Sequence, residues 1–523
     1  MAVSTITLLA ACAANPDDKP RNAGSSLTVN VLGAPTTVDP AMACGAADMH
    51  LMESLYARLV EYGTSDGPSS GTSTFDPASM RPGLAESWEV SPDGRTYTFT
   101  IREGVSFPSG EPVDAEAVRY SLQRTIDMAQ CGFSYLSDGF DEPPLISSVE
   151  AEGDDTVVIE LSVADVNLPQ VLAQPAASIV DPVLIEEHGG VVAGEGNAYF
   201  ASHSAGATGP FVLAEYEAGV RAVLRRNPDF WGEPTASDEV VVAFVSDPST
   251  MLLQAKSGQA DVTVGLAASL AEKLDDDDCC SVVAFDSGQS LDIALNWSVA
   301  PFDNQKFREA LTYALPYDDL HSTLGRGFGT RFYGPIAPGL PQYDADLERP
   351  REQDLDRASK LIDESGLARP ISFELTVPAD NSELKEFGTA VQAALAEADV
   401  QVSIRELAPA QRSDALNERD FAALALVDGP GIVDAGYYLS YDMNCASPYN
   451  ISAMCIPAAD QAWTEARVTT DDDERRRLYD TVIKEWVGAS PKLKFWSMPG
   501  LMAIGEEVEH VTYGVHLNFS TWR

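Results

Sequence analysis

The chain has 523 residues, 45% of them hydrophobic, with 80 acidic against 34 basic side chains and a formal net charge of -46. That length exceeds what one compact core supports, so two or three domains are expected. The charge excludes a nucleic-acid surface, which needs clustered Lys and Arg, and reads as a solvated, self-repelling exterior rather than a binding patch.

In chain order, the apolar run Ala2 to Ala11 comes first and stops at Cys12. It is about half the length of a membrane span, and no later segment reaches that length. Leu9-Ala10-Ala11-Cys12 resembles the lipobox of a bacterial lipoprotein, in which Cys12 is lipidated and becomes the first mature residue. No Lys or Arg precedes the run, so either the true start lies upstream of Met1 or the lipobox match is accidental. Residues 13–26 are polar and read as a tether. "LTVNVL" then alternates as a half-buried strand, and Met49, Met52, Leu55, Tyr56 and Leu59 recur at helical spacing.

The Gly/Ser/Thr-rich stretch 63–75 predicts a loop. From 84 to 107, Pro92-Asp93-Gly94 forms a turn between two strands, and Asp114 is placed as the N-cap of a helix in "VDAEAVRYSLQRTI". A second hairpin is expected at Gly153-Asp154-Asp155, completing a small α+β unit that reaches about residue 200. Two strands flank Glu217-Ala218-Gly219, "VVVAFV" suits a buried strand, and Gly258 ends the next helix. The last third alternates strand and helix as an α/β layer does: "LDIALNW", "DNQKFREALTYAL", "ISFELTV", "SELKEFGTAVQAALAEA", "VQVSIREL".

The six histidines are scattered with no ligand spacing, and no nucleophile elbow or phosphate loop is present. "GRGFG" at 325–329 reads as a loop, since no strand precedes it. Nothing signposts an enzyme; no catalytic residues, metal ligands or cofactor are assigned. Apart from Cys12 there are six cysteines, an even number that suggests disulfides in an exported chain. Cys445 and Cys455 bracket a turn-rich loop that a bridge would close. The adjacent Cys279 and Cys280 lack the partners of a zinc set and are expected bridged elsewhere or free.

Four stretches in order resemble the peptide- and nickel-type solute-binding proteins of ABC importers, from about Leu27 to the C-terminus. They are "PTTVDPA" with "ESLYARLVEY", "LAESWEVSPDGRTYTFTIREGVSFPSGEPVDAEAVRYSL", "TGPFVL" with "RRNPDFWG", and "ALNWSVAPFDNQKFREALTYAL". The resemblance implies an α/β, two-lobed periplasmic-binding-protein-like fold of class II with an extra small α+β domain. It places a signal peptide at 1–12, lobe I at 27–62, 201–288 and 497–523, the inserted domain at 63–200, and lobe II at 289–496. It implies a monomer anchored by lipid on the outer face of the cell membrane. There it would capture a peptide or peptide-like solute and deliver it to an ABC permease and ATPase.

Dipeptide receptors that it resembles hold the peptide amine on an Asp in a Trp-x-x-Asp-x-x-Asp-Pro stretch, which corresponds here to "LALVDGPGIVDAGYYLSYDMNC". Aligning Asp434 with the second Asp puts Gly431 at the anchor; a one-residue insertion makes Asp428 the anchor instead, and a turn residue is the alternative for Asp428. "CASPYNISAMC" resembles the family's disulfide loop. The Arg that some relatives use for the peptide carboxylate is missing from "ADNSELKEF", where Lys385 reads as a surface charge. Asn296, Trp297, Asp428, Asp434, Tyr437 and Tyr438 are the candidate ligand-binding residues, each with a structural role as its alternative. Rival readings are a nickel or metallophore receptor of the same fold, a surface receptor not coupled to transport, and a secreted hydrolase.

Overall fold

In the computed structural model, which describes residues 25–43, 45–137, 143–275, 277, 279–447, 450–514 and 516–523, two long strands carry the chain between its halves. Cys280–Leu295 and Lys492–Gly505 pair antiparallel from Cys280 opposite Gly505 to Ala294 opposite Lys492. Their register breaks between Phe285 and Gln289. On one side of that break lie the strands Val262–Val264, Ser26–Leu32, Glu239–Val245, Arg221–Arg226 and Phe211–Glu217. On the other lie Ala423–Asp428, Ile371–Pro378 and Val400–Leu407, all in the same ten-stranded sheet.

The local chemistry explains these elements. Leu27, Val29 and Val31 alternate into the core of the first half, and Val240 and Val242 join them from the neighbouring strand. In the second half Leu291, Ile293 and Leu295 pack against Phe307 and Leu311 of the helix Gln305–Ala314. Side-chain acceptors start the helices: Asn304 accepts from the amide of Phe307, Asp114 from Ala117, and Asn381 from Leu384. No helix among the described residues is long and apolar enough to cross a membrane.

A four-stranded sheet (Ala85–Val90, Thr96–Ile101, Thr156–Leu161, Ile146–Glu152) and the helix Ala115–Met128 form the smaller unit. Its core is continuous with Ile432 and with Tyr438, Trp463 and Trp486 from the late helices Ala435–Met443, Pro457–Val468 and Asp472–Ala489. The stretch 63–75 departs from expectation. Most of it is strand, because Val60–Asp66 and Thr72–Pro82 form a hairpin and Val511–Tyr513 adds in parallel along Thr72. Cross-strand pairing, within the hairpin and in part with a segment more than 400 residues away, outweighs local composition here. Gly63 allows the hairpin to close, since a Cβ there would stand 2.5 Å from Ser79 Oγ.

Cys445 and Cys455 form a disulfide with Cα atoms 4.8 Å apart, and Cys131 is also disulfide-bonded. Cys279 and Cys280 hold free thiols with their sulfurs 2.9 Å apart. The lipobox, with Cys12, and Cys44 lie outside the described residues.

Candidate functional site: the cleft at the strand ends

Strand direction fixes where a ligand can sit. Val262–Val264, Ser26–Leu32 and Glu239–Val245 are mutually parallel and end at the register break. Ile371–Pro378, Val400–Leu407 and Ala423–Asp428 are also parallel, and they reach the break from the opposite side. Two sets of carboxyl ends therefore face one another across residues 286–288, the position where open α/β sheets bind ligands. The loop after Leu32 is held rigidly: Asp48 accepts from the amides of Thr36 and Gly45, and buried Asp39 takes a two-pronged bond from Arg124 at 2.8 and 2.6 Å. This is what the "TTVDPA" motif does.

Val427 and Asp428 end the central lobe II strand, and as successive strand residues they point to opposite faces. Val427 lines an apolar cavity of about 90 Å³ with Leu266, Leu291, Phe387, Trp496 and Met498, whose rim carries Asn381 and Glu383. Asp428 enters a network of charges on the other face. Lys494 Nζ donates to Asp292 Oδ2 (2.5 Å), Ser290 Oγ (3.1 Å) and Tyr438 Oη (3.2 Å), which uses all three of its protons. Lys492 Nζ reaches Asp442 (2.7 Å) and Asp428 (3.2 Å).

Three carboxylates face two ammonium groups, so one negative charge is uncompensated. Only Asp428 offers it to solvent: its side chain is 25% exposed, against 0% for Asp292 and 9% for Asp442. Burial pushes Asp292 up to about 6, with Lys494 opposing. For Asp428 burial also acts upward, but Lys492 and Lys494 prevail and hold it below the ordinary carboxylate value.

The structure brings Tyr438 into this network and gives the other sequence candidates partners elsewhere. A Cβ at Gly431 would stand 2.7 Å from the ring of Tyr135, so no anchoring side chain fits there. Asp434 caps the helix Ala435–Met443, accepting from the amides of Gly436 and Tyr437, and pairs with Arg475 at 3.3 Å. Tyr437 donates to the carbonyl of Ser134 at 2.8 Å and so ties this helix to the small unit. Tyr438 is buried against Lys494.

Asn296 lies past the far end of its strand, roughly 25 Å from the break at the rise of an extended chain. It donates to the carbonyls of Phe421 and Arg419 and accepts from Ser298. Trp297 stacks on Arg308, with the guanidinium carbon 3.7 Å from the ring centroid, and donates to the Pro491 carbonyl. Trp297→Ala is therefore expected to lower unfolding free energy by about 2–3 kcal/mol while solute affinity stays unchanged; parallel denaturation and calorimetric titration check both. Lys385 is 37% exposed and 3.8 Å from Glu406. Sequence reasoning missed Lys492, Lys494, Asp292 and Asp442.

Two α/β lobes that meet at their strand ends across two connecting strands define a hinged binding protein. The family profile described as bacterial extracellular solute-binding proteins, family 5 middle, matches residues 79–450. The chain is 25% identical over 486 residues to the probable D,D-dipeptide-binding periplasmic protein DdpA of Escherichia coli K12, covering 92% of this chain and 90% of that one. Among solved structures it is similar to the Helicobacter pylori periplasmic binding protein DppA in complex with the peptide STSA (TM-score 0.78, 21% identity, 95% and 97% coverage). It is equally similar to NikA of Brucella suis in complex with Fe(III)-EDTA (TM-score 0.79, 22% identity, 95% and 99% coverage). The chain belongs to family 5 of the bacterial extracellular solute-binding proteins, and it is the binding component of an ABC importer rather than an enzyme.

Proposed function

We propose that this receptor captures an amine-bearing peptide or peptide-like solute between its lobes, with Asp428 as the anchor for the ammonium group. The observation that supports it best is the single uncompensated negative charge of the network, presented at the strand end through the partly exposed Asp428. An ammonium placed there would complete three carboxylates with three cations in a site that closure dries, where charge pairing strengthens. The relatives named for dipeptides favour the same solute class. The closed, loaded form is then read by the permease and ATPase of the importer. Lipidation of Cys12 would hold the monomeric receptor on the outer face of the membrane.

Asp428→Asn tests the anchor. Lys492 keeps Asp442 as its partner in this variant, so the fold is expected to persist. Affinity for an amine-bearing ligand should fall by about 1.5–3 kcal/mol, the worth of a charged hydrogen bond, which calorimetric titration reads as a loss of tenfold or more. Unchanged affinity would remove Asp428 from the site.

A further inference from the structure

We infer that Cys279 and Cys280 form a reversible redox site, a dithiol that closes into a vicinal disulfide by exchange with a small-molecule disulfide. The pair stands about 20 Å from the register break at the rise of an extended chain. It is outside the cleft and owes nothing to the identity of the solute.

The two sulfurs are 2.9 Å apart, although successive residues of an extended strand point to opposite faces. They converge because Cys279 lies in the turn before the strand Cys280–Leu295, of which Cys280 is the first residue. Both side chains pack on the small apolar cluster that includes Ala271, Leu274 and Leu501, and both keep part of their surface in solvent. Lys256 and Asp277, paired at 2.7 Å, bring one charge of each sign to the same edge. Elsewhere in the chain Cys445–Cys455 and Cys131 are disulfide-bonded, as suits a member of an extracellular family. A single thiol in such surroundings would keep whatever small disulfide it captured. Two thiols already in contact resolve the capture within the chain.

The exchange runs in two steps. Burial pushes the Cys280 thiol up to about 12, with its bond to Cys279 adding to the effect, so the attacking thiolate is that of Cys279. Its sulfur bonds to one sulfur of the incoming disulfide, whose S–S bond breaks and releases a first thiol. Cys280 then gives up its proton and attacks the Cys279 sulfur; the ring S–S bond forms as the mixed disulfide breaks and a second thiol leaves. The two cysteines lose two electrons and two protons, which the reagent carries away as its two thiols. The peptide bond holds the two Cα atoms about 3.8 Å apart, below the range of about 4.4–6.8 Å that disulfides ordinarily span. Cys445 and Cys455 lie within that range at 4.8 Å. The vicinal ring is therefore the strained and readily reduced one of the two. Closed, it leaves neither thiol free to pair with another molecule.

The test starts from the purified receptor incubated with oxidised glutathione, quenched in acid, unfolded, blocked with N-ethylmaleimide without reduction and digested with trypsin. Mass spectrometry then weighs the peptide that follows Lys273 and ends at Lys306, which carries both cysteines. It should bear neither maleimide nor glutathione and weigh two hydrogens less than the dithiol. Reduced glutathione should restore two maleimide-reactive thiols there while Cys445–Cys455 stays closed. Cys280→Ser should instead retain glutathione on Cys279, because no neighbour remains to expel it. Two maleimides on the oxidised wild-type peptide, a lasting glutathione adduct, or a cross-link to another cysteine overturns the inference. A ring that survives reduced glutathione overturns its reversibility, and a Cys280→Ser protein that takes up no glutathione overturns Cys279 as the attacking sulfur. The wild-type measurement needs no substitution, so it decides closure whatever the variant does to folding.

Discussion

Lys494→Met is expected to destabilise the protein by about 3–5 kcal/mol, the cost of leaving a buried charge without its partner. The side chains of Lys494 and Asp292 are both 0% exposed and joined at 2.5 Å. Asp292 has little else to fall back on, because its second oxygen is buried with no hydrogen-bond partner. Without Lys494 its carboxylate would have to protonate or open the sheet to water. The double variant Asp292→Asn/Lys494→Met should recover most of the loss, since replacing both members of a buried pair removes the uncompensated charge. Urea denaturation of wild type, both single variants and the double variant gives the coupling directly. A single variant that loses less than about 1 kcal/mol would mean that solvent reaches Asp292, contrary to the packing around it.

That network also marks the limit of what the sequence makes legible. Periodicity and capping residues are local properties, so the hairpin at Pro92-Asp93-Gly94, the helix capped by Asp114 and the strand–helix alternation after residue 290 could be placed from sequence. The segment 63–75 could not, because its Gly/Ser/Thr composition reads as loop while its strand character comes from cross-strand pairing, within the hairpin and, along Thr72–Thr74, with Val511–Tyr513. The site suffers the same way. Its charges come from residues 292, 428, 442, 492 and 494, and their meeting depends on strand order. One signal was available: Lys492 and Lys494 are two apart in the apolar run "PKLKFW", which in a strand puts both on one face and obliges buried carboxylate partners. Asn296, Trp297 and Tyr437 are polar or aromatic residues near motif positions, and in the structure their hydrogen bonds and stacking hold loops and helices together.

Glu348→Gln is expected to stabilise the protein at pH 8–9 by a few kcal/mol and to change it little at pH 5. Glu348 is fully buried and is pushed up to about 8, first by burial, while its bonds from the amides of Ile336 and Asp344 and the charge of Lys494 pull the other way. The folded pKa is thus raised above the unfolded one. Between about 4.5 and 8 the native state holds a proton that the unfolded chain has released, so stability is highest at low pH and falls as pH rises through that window. Each unit of the window is worth about 1.4 kcal/mol at most, and Gln, which keeps the acceptor oxygen for Ile336, removes the dependence. Glu53, raised to about 7 chiefly by burial, contributes a slope of the same sign, so the difference between variant and wild type isolates Glu348. Parallel stability profiles from pH 5 to 9 would show that Glu348 is ionised throughout. A protonated Glu348 matters to the cleft as well. It keeps a further negative charge away from Lys494, which leaves Asp428 alone to present the surplus charge to an arriving ammonium group.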